Sequence, residues 1–214
     1  MVSILTSELA AALRRSDDDA LVHTIDTIFR TGSAGARERI APFLSAEALA
    51  SPDGASHARR LLWTLFNRTR HFDDVVGPGA DPAWLGALSP LAGHVALFHL
   101  ATLYLTPFRG AEVVTALLRM LDHLRVADVG RGGPAYSLVD SLLKRDDPRI
   151  APALASLLGA PSADDWHLSY ALRALDDPST AAALRARQPK MRKKHRDFAG
   201  EVIAHLERDR GAAL

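Results

Sequence analysis

The sequence predicts an all-α protein of about ten short helices stacked in pairs. Three observations carry that expectation. Ala and Leu, both strong helix formers, dominate the composition. β-branched residues never gather into the alternating runs that strands require. Helix start and stop signals recur at short intervals along the whole chain. At 214 residues the chain reads as one helical-repeat domain, 1–214, long enough to bury a core.

Taken in order, the first helix covers Thr6 to Arg15. Ser16 and Asp17 cap the second, whose apolar stripe is Leu21, Ile25, Ile28 and Phe29, and Gly32 ends it. A third spans 35–44, and Ser45 caps a further turn. Pro52 opens a helix carrying Leu61, Leu62, Leu65 and Phe66, with Trp63 expected in the core. Residues 71–82 read as a loop broken by Gly77-Pro78-Gly79. Ser89-Pro90 and Thr106-Pro107 each read as a cap followed by proline, starting helices to Tyr104 and Arg125. Gly130 to Gly133 form a loop, and Pro134 starts a helix ending near Arg145. Asp147-Pro148 starts the next, which Gly159 ends. Ser162 caps a helix holding Tyr170, Leu172 and Leu175, and Asp177-Pro178 opens a short one. Pro189 starts the last helix, 189–210, before Gly211.

Internal repetition supports this segmentation. Asp147-Pro148 and Asp177-Pro178 lie 30 residues apart, each before an apolar helix. At an offset of 110, Arg39-Ile40-Ala41-Pro42 recurs as Arg149-Ile150-Ala151-Pro152. In the same register Leu44 matches Leu154, His57 matches His167, Leu62 matches Leu172 and Leu65 matches Leu175.

Residues 143–185 resemble the short, bacterial kind of HEAT-like repeat. The resemblance rests on Asp147-Pro148, Ile150, Pro152, Ala153, Leu154 and Leu157, then on Ala171, Leu172, Leu175, Asp177 and Pro178. It is weaker over 21–66 and fails over 80–130, where no Asp-Pro turn is read as a helix start. It implies an α-solenoid in which each helix pair buries its faces on its neighbours. It implies an architecture and no activity.

Chemistry-bearing motifs are few. The absence of cysteine excludes disulfides, thiolate catalysis and Cys-ligated metal sites. His94 and His99 sit about 140° apart on a helix and cannot share a ligand face. Asp164, Asp165 and His167 gather at a helix start, where carboxylates are expected for capping. Gly130-Arg131-Gly132-Gly133 lacks the Lys-Ser/Thr ending of a phosphate loop. Some HEAT-like proteins are DNA-alkylation glycosylases that use aromatic residues and a carboxylate. Here the positions one turn after Trp63, Trp84 and Trp166 hold Asn67, Leu88 and Tyr170, not acids. Neither a catalytic residue, a cofactor nor a metal is expected, and the chain reads as a non-enzyme.

Compartment follows from the remaining patterns. No basic leader precedes the N-terminal apolar run, Glu8 interrupts it, and Arg14 and Arg15 follow it, so the reading is cytoplasmic. Pro82 to Phe108 contains no charged residue, yet Pro90, Gly93, His94 and His99 fit a buried helix better than a membrane span.

The strongest local feature is basic. Residues 185–214 carry nine Lys/Arg against four acids, although the whole chain is only +1. Arg185, Arg187, Lys190, Arg192, Lys193, Lys194 and Arg196 form a run without an acid, expected from Pro189 onward to lie on the final helix. Phe198, Val202, Ile203 and Leu206 would pack that helix down. Such mutual repulsion points to an anionic partner, set against a merely solvated face on a capping helix. The expected function is a non-enzymatic protein-binding module, an adaptor or a toxin-neutralising immunity-type protein. The alternative is nucleic-acid binding through the basic helix.

Overall fold

The computed structural model describes residues 2–126, 134–161 and 163–208. Among these it contains fourteen α-helical segments, five 3-10 turns and no strand, so the all-α class stands. The expected loop Gly130–Gly133, the expected cap Ser162 and the expected helix stop Gly211 lie outside the described residues. The chain divides into two compact units, 1–113 and 114–214.

The first unit opens with α1 (Val2–Arg15) and α2 (Asp18–Phe29), which pack on each other. Asp17 caps α2 by accepting the Ala20 N–H, and Leu21, Ile25, Ile28 and Phe29 are buried as the stripe requires. Next come α3 (Ser33–Ile40), a 3-10 turn (Ala41–Phe43) and α4 (Ala46–Ala50), the last capped by Ser45 through the Ala48 N–H. α5 (Gly54–Arg68) packs on α2 and α4. It starts two residues after Pro52, with Asp53 at its cap position, so Pro52 does not occupy its first turn. Arg60 pairs with Asp18, and Arg68 reaches Asp18 at 3.2 Å and Asp19 at 3.0 Å, tying α5 to the start of α2.

Several expectations here are corrected. Residues 71–82 are not all loop: α6 (Phe72–Val76) buries Val75 and Val76 before Gly77 stops it. Its His71 is buried between two carboxylates, Asp74 at 2.7 Å and Asp26 at 3.1 Å, and stacks on Phe29 at 4.4 Å. Trp63 is not core but 51% exposed, because Ala58, Leu61, Leu62 and Leu65 define the buried stripe of α5 and Trp63 points off it. Trp84, opening α7 (Trp84–Leu88), is the buried tryptophan, and its indole N–H donates to Ser33 Oγ at 3.0 Å.

The expected helix from Pro90 to Tyr104 is broken. Two 3-10 turns, Ser89–Gly93 and Val95–Leu97, flank an extended His94, and α8 runs only over Phe98–Leu105. Leu97, Phe98 and Leu100 are buried and Val95 is half-buried, as the uncharged segment required. No described helix is long and apolar enough to cross a membrane. Thr106 ends α8, its hydroxyl donating to the Thr102 carbonyl at 2.6 Å, instead of starting a helix. Pro107 follows as a stop, and Gly110 takes φ +104° before the next helix.

The second unit begins within α9 (Ala111–Val126) and continues through α10 (Pro134–Leu143) and α11 (Ile150–Ala155). α12 (Asp165–Leu175) packs on α10, α11 and α14. A 3-10 turn (Pro178–Thr180), α13 (Ala181–Arg187), a second 3-10 turn (Gln188–Lys190) and α14 (Lys193–Glu207) complete it. Leu184, Met191, Ala199, Val202 and Leu206 form its C-terminal core.

Asp-Pro turns share one device. Asp147 accepts the Arg149 N–H at 3.0 Å and Asp177 accepts that of Ser179 at 2.9 Å. Asp81, in a stretch read without such a turn, accepts the Ala83 N–H at 2.9 Å just before α7. Across the 110-residue register, Ile40 and Ile150, Leu44 and Leu154, and Leu62 and Leu172 are buried in both copies. The first residue of the match differs: Arg39 is buried and donates to Thr31 and Gly35, whereas Arg149 is exposed and pairs with Asp147. That pairing holds the Asp147 carboxyl down to about 2.

Leu100 and His99 are adjacent on α8, one buried and one exposed. Leu100→Ala is expected to cost about 2–5 kcal/mol in urea unfolding. His99→Ala is expected to stay within about 0.5 kcal/mol.

Candidate binding face and cleft

The site grows from the N-terminus of α12. Asp164 caps the helix, accepting the Trp166 N–H at 2.9 Å, and takes a second hydrogen bond from the Tyr136 hydroxyl at 2.7 Å. Burial alone would raise its carboxyl. The Tyr136 hydroxyl, the Trp166 and His167 N–H groups and the His195 charge outweigh burial and hold it below its ordinary value. The same bond raises the Tyr136 phenol. Tyr136 also packs against His167 at 4.4 Å, and His167 Nε2 lies 3.2 Å from Asp140. The expected capping role of the acids here therefore holds, with a hydrogen-bonded chain behind it.

Asp165 does different work. Its carboxylate accepts the Gly159 N–H at 2.8 Å and the Arg187 Nε–H at 2.8 Å, joining the α11–α12 connection to the end of α13. Gly159 sits at φ +91°, and a Cβ there would lie 2.9 Å from the Arg187 guanidinium carbon. Only glycine satisfies both the backbone and that close approach.

The basic run does not lie on one helix. Met191 is buried in extended backbone, and Arg192 is extended as the cap residue, so the chain turns between Lys190 and Lys193. Pro189 therefore begins a 3-10 turn, and the final helix starts at Lys193. Two braces hold the turn: Gln188 donates to the Arg196 carbonyl at 3.0 Å, and Arg196 donates to the Met191 carbonyl at 3.2 Å. Arg185, on α13, pairs with Glu207, and Arg187 pairs with Asp165. Lys190, Arg192, Lys193 and Lys194 are exposed and make no ion pair among the described residues.

Folding places an aromatic ledge against α14, the helix that carries Lys193 and Lys194, although no aromatic residue occurs within the run itself. Trp166 is 45% and Tyr170 53% exposed, one turn apart on α12 with ring centroids 6.5 Å apart. Phe198 of α14 lies 5.9 Å from Trp166, and Lys194 stands one turn before Phe198 on the same side. The position of Tyr170 was readable in principle: Leu168, Ala171 and Leu172 set the buried stripe of α12, and Tyr170 falls off it.

A cleft of about 430 Å³ adjoins this face. Asp164 and Asp165 line it from one connection, and Arg187, Lys190, Arg192 and His195 from the other. Among the described residues no group of three or more His, Asp or Glu is arranged to hold a metal ion. Compared with known proteins, the chain matches no family model, no curated protein and no solved structure. The fold and the site thus define an all-α protein carrying an aromatic and basic face, with a polar cleft beside it.

Since the folded-state pKa of Asp164 is depressed, its contribution is present above the unfolded-state value and is lost as pH falls through the folded one. Tyr136→Phe should move the Asp164 pKa up toward the ordinary carboxylate range. It should cost about 1 kcal/mol at neutral pH, less below about pH 4. Carboxyl-detected NMR titration with urea melts at both pH values checks this. An unmoved Asp164 titration would remove the hydroxyl as the cause.

Proposed function

We propose that the chain is a non-enzymatic protein-binding module, of the adaptor or toxin-neutralising immunity kind, whose partner presents an acidic surface with an apolar anchor. The observation that carries this reading is the exposed Trp166–Tyr170 pair, joined through Phe198 to α14, whose first turn and preceding turn carry the exposed Lys190, Arg192, Lys193 and Lys194. Trp, Tyr and Arg are the residues that dominate binding energy at protein interfaces, and two large aromatic rings left in water favour a partner that covers them. Rim cations add steering toward an acidic partner. The HEAT-like pairing of helices belongs to the same proposal. It is supported by the shared Asp-Pro turns and by three apolar pairs of the 110-residue register buried in both copies, Ile40/Ile150, Leu44/Leu154 and Leu62/Leu172, whereas Leu175 is half-buried where Leu65 is buried.

One observation favours nucleic acid as a second reading: stacking rings stand beside Lys194, the arrangement that single strands use. Charge argues the other way. Asp197 and Glu201 are exposed on α14, Arg185 and Arg187 are neutralised by acids, and Lys/Arg exceed Asp/Glu by only three over 114–214.

Trp166→Ala with Tyr170→Ala is expected to weaken a directly measured complex with a captured partner by at least about tenfold, roughly 1.4 kcal/mol, with unchanged circular dichroism. A partner held equally well by the double variant would overturn the assignment of the face. In a mobility-shift assay at about 50 mM salt, single-stranded DNA and RNA are expected to show no shift. A robust shift abolished by Lys193→Ala, Lys194→Ala and Arg196→Ala would replace the protein reading with the nucleic-acid one.

A further inference from the structure

The cleft differs chemically from the ledge beside it. Its acids are already engaged: Asp164 by Tyr136 and the Trp166 N–H, Asp165 by Arg187 and the Gly159 N–H. Arg187 is engaged in turn by Asp165. The lining groups left with hydrogen-bonding capacity are therefore cationic or basic. Lys190 and Arg192 make no side-chain hydrogen bond or ion pair among the described residues, and His195 adds an imidazole. These three come from one braced turn and the first turn of α14, held by the Gln188–Arg196 and Arg196–Met191 bonds and by the buried Met191. Their backbone is thus fixed in advance of any ligand, which lowers the entropy of binding one.

We propose that this cleft is a phosphate site, taking a phosphate monoester whose dianion is held by the Lys190 ammonium, the Arg192 guanidinium and the His195 imidazole. A guanidinium fork beside an ammonium matches a tetrahedral oxyanion better than a single carboxylate, which one arginine already satisfies. Of the two lining acids, Asp165 is neutralised by its ion pair with Arg187, so the repulsion left in the cleft is that of Asp164 alone, set against Lys190, Arg192 and His195. A volume of about 430 Å³ falls in the range of ligand pockets and leaves room for the molecule bearing the phosphate. That molecule is either a small phosphorylated compound or a phosphorylated side chain of a protein docked on the ledge. The proposal does not rest on the docking reading, because the cleft would bind phosphate with no protein present.

Calorimetric titration of the full chain tests it, with inorganic phosphate and with a phosphoserine peptide as probes at about 100 mM NaCl. One saturable site is expected. Lys190→Ala with Arg192→Ala should weaken it by about tenfold or more, and Lys193→Ala with Lys194→Ala, which do not line the cleft, by less than about twofold. Absence of saturable binding of either probe would overturn the proposal. So would equal weakening by the two double variants, the signature of diffuse attraction. A peptide bound more tightly than inorganic phosphate, with the gain lost in Trp166→Ala, assigns the phosphate to a docked protein. A gain that is absent, or unaffected by Trp166→Ala, assigns it to a small phosphorylated molecule.

Discussion

A helix shorter than about 12–15 residues is barely stable alone in water. Most helices here fall at or below that limit, and α4, α6 and α7 have five residues each. They exist because each apolar stripe is covered by another helix, so folding is set by packing more than by propensity. The Ala-rich composition serves this directly. Ala12, Ala36, Ala58, Ala101, Ala171 and Ala199 are all buried, where a small side chain brings two backbones close.

When helices are this short, their ends become as important as their faces, because each end leaves backbone groups without partners. Acids do much of that work. Asp17 and Asp164 cap helices, Asp81, Asp147 and Asp177 capture the N–H two residues on, and Asp165 ties two connections together. Charged residues thus split into two populations in the second unit. Those bound to backbone or to each other hold the connections in place. Lys190, Arg192, Lys193 and Lys194 belong to the other population, displayed together by a turn that the buried Met191 anchors. The candidate site is a product of that division, with structural acids on one side of the cleft and, on the other, Arg187 bound to one of them beside the unengaged Lys190 and Arg192.

Where the helical period was strong, reading the sequence located the buried residues well. The stripe of α2 and the caps Asp17 and Ser45 are examples. Errors cluster where period and chemistry conflict. α6 is too short to show a period, and its Asp73, Asp74 and following Gly77-Pro78-Gly79 carry loop signals, yet Val75 and Val76 are buried. Trp63 reads as part of an apolar helix face, yet one residue is about 100° on a helix and the buried stripe runs through Leu61, Leu62 and Leu65. From Pro189 onward the basic run reads as the start of one helix, because proline favours a first helical position and Lys190 to Arg196 are compatible with helix. Burial of Met191 in extended backbone breaks it in two.

The sequence by itself determined the all-α class, most helix boundaries to within a few residues, the absence of cysteine chemistry and the seven-cation run. These depend on local periodicity, capping and composition, which act over neighbouring residues. Only the tertiary structure decided which cations are neutralised and which remain available. Arg185 finds Glu207 and Arg187 finds Asp165, each 22 residues away. It also decided that Trp166 and Tyr170 stand beside Phe198 of α14, one turn after Lys194, and that two acids and four basic groups line one cleft. Those arrangements follow from how α12, α13 and α14 pack, and packing pairs residues by buried shape, which a local pattern of charges and turns does not encode.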